Sequence, residues 1–341
     1  MTGTGLASVA WRGLNGVFAV YKPPGMAAIQ LKNIIEHNLL QEINSLEQQP
    51  LRNRVKIEKV ENEDNTNALT VTSVPSLADH PLVTGPRYKK VSIAWLSPLD
   101  RMASGIMVMT ATEGNKKIGM MNTAQFPSIY EVKGKFGMAT DTFDESGKVW
   151  EKTTYHHIKS EKMNRVLAAM SRVHQSAMTR FSGVEMQSQA AYELAVRGML
   201  RPAVDSPPLI IRMKCIHFDK PHFTIEMECL KEHGQFLRKT VHELGLEMKS
   251  SAVATSVRRT RQGPFTLDHA LLQKHWKLEY ILQAIQNCKK LVAKKKLLPY
   301  YASKKKMPEE LIRMVNEEEA KSSRLKKRMR LLQEAVTPDS H

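Results

Sequence analysis

Short β-rich runs and amphipathic helical stretches follow one another along this chain without a regular strand–helix–strand rhythm, and this irregular alternation is what most constrains the fold. Val17–Tyr21 is an apolar, β-rich run stopped by Lys22-Pro23-Pro24-Gly25, a strand entering a rigid turn. Residues 29–46 bring Ile34, Ile35, Leu39, Leu40 and Ile43 to one side of a helix. Further strands are predicted at Leu69–Val74, Val91–Trp95, Ile106–Thr110, Ile129–Phe136, Val149–Tyr155 and Val253–Val257. Leu209–Phe218 and Phe223–Leu230, joined by Asp219–His222, read as a hairpin. Helices are predicted from Asn115 and over Glu161–Val173, Ala190–Leu200 and Phe236–Met248. Such a pattern predicts an α+β fold whose central sheet is mixed, largely antiparallel and flanked by helices. The polar stretch Glu47–Asn67 has little to bury and is expected to be a surface insertion or flexible loop.

Charge narrows the partner class. Of 341 residues, 51 are Lys or Arg and 34 are Asp or Glu, a net +17 that favours a polyanion. Between Lys289 and Arg330 stand 15 basic residues and 5 Glu, clustered at Lys294–Lys296, Lys304–Lys306 and Lys326–Arg328. That run is either a solvated helical tail or a sequence-blind phosphate-binding arm. Cys215, Cys229 and Cys288 are odd in number and unpaired in spacing, as in a reducing compartment. Neither HExxH nor a Cys/His ligand set occurs, so no metal is expected, and no apolar run reaches the ~20 residues of a membrane span. The first 35 residues lack Asp and Glu, which fits either an organelle leader or a short disordered segment.

The most informative stretch is Ser97-Pro98-Leu99-Asp100-Arg101-Met102-Ala103-Ser104-Gly105-Ile106. From residue chemistry alone, an Asp in such a turn most often accepts backbone N–H bonds. The order Leu-Asp-x-x-Ala-Ser-Gly-Ile, however, resembles the catalytic motif of the TruB-type pseudouridine synthases. Companion segments follow collinearly. Val17–Gly25 resembles the family's N-terminal strand and Lys-Pro turn, and Ile129–Gly137 with Thr140-Asp141-Thr142-Phe143-Asp144 its tyrosine strand and continuation. Tyr192-Glu193-Leu194-Ala195 resembles its Leu-Tyr-x-x-Ala helix. The block from Gly234 through Arg238, Gly245 and Ala252 to Arg258-Arg259 completes the match.

The resemblance implies the pseudouridine synthase fold and conversion of uridine to pseudouridine in RNA without any cofactor. It assigns the catalytic carboxylate to Asp100, acting as nucleophile at C1′ or as base at the 2′ position. Tyr130 would stack on the uracil and help remove the C5 proton; as a bare residue it is equally a half-buried strand aromatic. Lys22, Tyr192, Arg238, Arg258 and Arg259 are the implied RNA-binding residues, the four cations being cradle or structural candidates, or surface charges. Where the family carries a basic partner for the carboxylate, this chain has Leu209. Either Arg197, Arg201 or Arg238 replaces it, or the site is slow, because an unpaired carboxylate in a dry pocket takes up a proton. The long segment before Asp100 and the Lys-rich C-terminal region, too short for a PUA module, resemble the divergent mitochondrial branch of animals. The expected organisation is a leader over 1–13, a catalytic domain over 14–274 with an insertion at 47–90, and a helical tail over 275–341. Expected partners are mitochondrial mRNA or tRNA and RNA-processing or ribosome-assembly proteins, in the matrix. A retired synthase that binds RNA without chemistry is the alternative.

Overall fold

The computed structural model describes residues 6–48, 53–61, 67–76, 78, 80–182, 189, 192 and 206–292. Its N-terminal elements are α1 (Leu6–Gly13), β1 (Gly16–Lys22), α2 (Ala28–Ser45), β2 (Asn53–Glu61), β3 (Asn67–Pro75) and the one-turn α3 (Pro81–Thr84). Next come β4 (Ile93–Trp95), β5 (Ser104–Ala111), α4 (Lys116–Thr123), β6 (Ser128–Phe136), β7 (Met138–Thr140), β8 (Val149–Lys152) and α5 (Ser160–Ser182). The chain continues through β9 (Leu209–Asp219), β10 (His222–Leu230), α6 (Gly234–Glu247), β11 (Ala252–Gln262), β12 (Phe265–Thr266), β13 (Ala270–Leu271) and α7 (Leu278–Cys288).

Nine strands form one sheet in the order β13-β1-β5-β11-β6-β10-β9, with β4 on β5 and β12 on β11. The β1–β13 and β5–β11 pairs are parallel and the others antiparallel, so the sheet is mixed and largely antiparallel, as the pattern predicted. In β1, Phe18 and Val20 face one side and Val17 and Ala19 the other, and all four are buried. A strand covered on both faces must be apolar at every step, which is why the run shows no alternation. Leu31, Ile35, Leu39 and Ile43 recur every fourth residue of α2 and pack beneath β1 and β5 with α1 and α7. On the other half of the sheet, Met163 and Leu167 of α5 and Leu237, Val241 and Leu244 of α6 bury Val132, Ile225 and Met227.

Four expectations are corrected. The stretch Glu47–Asn67 is not all loop: β2 pairs with β3 over nine residues in an isolated hairpin. In Arg54-Val55-Lys56-Ile57-Glu58 charged and β-branched residues alternate, so the strand period hides in a polar composition. The basic run after Val257 does not end a strand, because β11 continues through it to Gln262. Residues 6–13, given to a leader, form α1, with Ala7 and Ala10 buried in the core. Residues 275–292 are not tail: Trp276, Ile281 and Ile285 are buried against the β1 layer, which moves the boundary drawn at 274 beyond α7. The Lys-rich segment 293–341, and all but Tyr192 of the Ala190–Leu200 helix, lie outside the described residues.

Candidate active site

The Asp100 loop joins β4 to β5 and is clamped from below by the Lys22 turn. Lys22 is fully buried, and its ammonium donates to the carbonyls of Ala103 (2.6 Å), Arg101 (3.0 Å) and Pro23 (3.1 Å). Gly25 N–H donates to Arg101 O at 2.9 Å, and the Arg101 guanidinium returns a bond to Gly25 O at 3.1 Å. Burial pushes the Lys22 pKa down to about 8, opposed by the attraction of Asp100. Above the loop, Gly105 has φ +116 and pairs with Arg259 of β11. A Cβ there would meet the Arg259 backbone, so the Gly of the motif lets two strands close over the loop.

Asp100 projects from this clamp with its side chain 38% exposed. Arg238, one turn into α6, places a guanidinium nitrogen 3.1 Å from its carboxylate. The Arg238 Nε lies 3.9 Å from Asp144, in the loop between β7 and β8. One cation thus bridges two carboxylates. Burial works against the charge of Asp144, but hydrogen bonds from Ser146 and Thr142 outweigh it with help from Arg238, and its pKa stays below the usual range. Gly234, the first residue of α6, packs directly on Asp100, where any Cβ would fall inside the carboxylate. That close approach brings the helix N-terminus to the acid and sets Arg238 within reach. Alongside opens a cavity of about 470 Å³ lined by Pro24, Met102, Ala103, Asp144, Arg238 and residues 254–257. An open carboxylate held by a cation at the rim of such a cavity can attack, or take a proton from, a bound nucleoside.

Tyr130 sits on β6, only 3% exposed, with its hydroxyl donating to Glu232 at 2.6 Å and accepting from Arg259 at 3.2 Å. Burial holds the phenol well above its ordinary pKa. Arg259 is fully buried and also donates to Ile106 O and Ser97 O at 2.8 Å each. It ties the strand of the motif to the loop before it. Of the two roles open to Lys22 and Arg259, RNA cradle or structure, their burial favours structure: neither presents surface, and their cations are spent on carbonyls and, for Arg259, the Tyr130–Glu232 pair. Arg258 is half-buried with its guanidinium 6.0 Å from the Tyr21 ring centre, and Tyr192 is exposed. Leu209 is buried opposite Leu230 in the β9–β10 hairpin; Arg238 supplies the cation expected at its position. Arg197 and Arg201 lie outside the described residues. Sequence reasoning missed two members of the site. Asp144 stands in the Thr-Asp-Thr-Phe-Asp segment and had a signal; Glu232 had none, since only folding brings its carboxylate to Tyr130.

Residues 87–234 match the family model described as TruB family pseudouridylate synthase, N-terminal domain. The chain is 45% identical over 283 residues to the mitochondrial pseudouridylate synthase TRUB2 of Xenopus tropicalis, covering 82% of this chain and 87% of that protein. Its identity to the human mitochondrial TRUB2 is 43% over 276 residues, covering 80% and 83%. The crystal structure of the archaeal box H/ACA sRNP Nop10-Cbf5 complex aligns with a TM-score of 0.45 and 15% identity, over 86% of this chain and 66% of that one. With identity at this level running across most of both chains, this chain belongs to the TruB family of pseudouridylate synthases.

Proposed function

We propose that the protein isomerises uridine to pseudouridine in RNA, in the mitochondrion, with Asp100 as the catalytic carboxylate. The reaction breaks the N1–C1′ bond and forms a C5–C1′ bond; N1 gains a proton and C5 loses one, so neither oxidant nor cofactor enters the balance. The carboxylate opens the sequence, as nucleophile at C1′ or as base at the 2′ position. The observation that carries the reading is the Asp100–Arg238 contact at 3.1 Å beside an open cavity. Arg238 places a counter-charge on the acid, which supports the enzymatic reading over the retired synthase. Tyr130, expected to stack on the uracil and help remove the C5 proton, is buried with its hydroxyl held by Glu232 and Arg259, and Arg259 links it to Ser97 of the loop. The relatives' mitochondrial naming supports placement in the matrix, with mRNA or tRNA of that compartment as substrate. The test is pseudouridine mapping of mitochondrial RNA in cells lacking the protein and rescued with wild type or Asp100→Ala. Sites that return with wild type and stay unmodified with Asp100→Ala are the expected result. Identical maps from both rescues would end the catalytic reading.

A further inference from the structure

Asp144 reaches the site from a small two-stranded hairpin, β7–β8, that stands outside the main sheet. Its loop supplies Asp144, Glu145 and Ser146 to the cavity wall. Four residues beyond Ser146 lies Trp150, 78% exposed. An indole has a large flat face on which a planar ring can stack, with a polar N–H at its edge. The other three tryptophans are engaged: Trp276 is fully buried, Trp11 stacks on Tyr88, and Trp95 receives the Lys32 ammonium. Trp150 has no ring or cation partner among the described residues.

The backbone holds this exposed ring in place. On β8, Glu151 pairs with Ala139 and Val149 with Thr140, which leaves Trp150 as the unpaired residue of a β-bulge. Bulges re-aim side chains and recur beside active sites. Both ends of the hairpin are tied to β11 or the turn leading into it. At the base, Gly137 N–H donates to Ser251 O at 2.9 Å and Thr153 N–H to Gly137 O at 3.0 Å. At the tip, Ala254 N–H donates to Phe143 O at 3.0 Å and Glu145 N–H to Ala254 O at 3.2 Å. The indole is therefore presented on a braced support, so little order has to be imposed on binding.

Its neighbours define the ligand. Lys148 and Lys152, both exposed, flank the ring two residues away on either side, while Glu151 is held by Ser251 at 3.5 Å. An exposed aromatic with an exposed lysine two residues to each side along the chain matches a base with its adjoining phosphates. The path from the cavity wall at Ser146 to Trp150 is at most about 13 Å at ~3.3 Å per residue, a few nucleotides of RNA. We propose that Trp150, with Lys148 and Lys152, is a stacking platform for an unpaired base of the RNA, a few nucleotides from the uridine held at Asp100. The platform rests on the Asp100 reading for its orientation. It makes the substrate an RNA that is unpaired beside the target as well as at it.

The test uses the full chain and a labelled, unstructured uridine-containing RNA oligonucleotide. Stacking on one aromatic is worth ~1–3 kcal/mol, so Trp150→Ala should weaken binding about tenfold and raise KM to a similar extent. Trp150→Phe should bind within about threefold of wild type. RNA should quench tryptophan emission in the wild type, and Trp150→Phe should abolish most of that quench while still binding. A fully paired duplex of the same sequence should compete poorly with wild type and about equally poorly with Trp150→Ala. Asp100→Asn is run beside these variants. If it is inactive and Trp150→Ala binds RNA like wild type, the platform is wrong and the Asp100 reading stands. If Asp100→Asn turns over normally, the catalytic reading fails, and the quench still decides the platform. Unchanged RNA affinity with a lowered melting temperature would assign Trp150 to packing within this chain. Loss of a protein partner with RNA affinity intact would assign it to that partner, and either outcome overturns the proposal.

Discussion

Arg238 reaches Asp100 from the helix on the far side of the motif, and its guanidinium is the cation in direct contact with the acid among the described residues. It serves two carboxylates, at 3.1 Å to Asp100 and 3.9 Å to Asp144, and its Nε has no hydrogen-bond partner among the described residues. Removing the cation takes from both carboxylates the guanidinium that now contacts them, and with it the favourable charge at the acid. Arg238→Met should therefore slow single-turnover pseudouridine formation at neutral pH by at least about tenfold, or ~1.4 kcal/mol. Arg238→Lys should recover only part of the rate, because an ammonium is a point charge that cannot span both partners as a planar guanidinium does. Equal rates for wild type and Arg238→Met would show that the ion pair has no part in the chemistry.

At the scale of elements, the site exists because two glycines let backbones approach where side chains cannot. Gly105 admits β11 against β5, and Gly234 admits the start of α6 against Asp100. The second makes a clean experiment. Alanine is the better helix former by ~1 kcal/mol, so in Gly234→Ala the gain in helix propensity offsets the crowding of a partly exposed carboxylate. Its urea midpoint should move little, while turnover should drop at least about tenfold as the carboxylate is pushed off Arg238. A large fall in stability with turnover per folded molecule unchanged would mean that the close approach only serves packing. The braced β7–β8 hairpin belongs to the same logic: its tip gives Asp144 to the site, and its bulge turns Trp150 outward.

For the whole molecule, the +17 charge predicts RNA affinity that falls steeply with salt. Replacing Lys294, Lys295, Lys296, Lys304, Lys305 and Lys306 by Gln should flatten the log K against log salt slope by about 0.7 for each phosphate left without its lysine. A slope unchanged in titrations from low to moderate salt would make the run a solvated tail. The fold class was legible from order and spacing alone, since strand and helix periods are local properties; Asp100 stood out only because the compact motif around it resembles that of a known family. The β2 strand was not legible, because charged residues at alternate positions masked its period. Nor was the cation of the acid: Arg197, Arg201 and Arg238 are candidates that linear order cannot rank, and it is the docking of α6 on the loop that brings Arg238 to Asp100. Burial separated residues that read alike. Arg238, Arg258 and Arg259 are the same side chain in sequence, yet one faces the cavity, one lies beside Tyr21, and one is sealed in the core. The chain's own order determined which segments become strands and helices and which carboxylate stands in the turn. Tertiary structure alone decided which charges meet it, because electrostatic partnership depends on distance through space and on access to water, and neither is written along the chain.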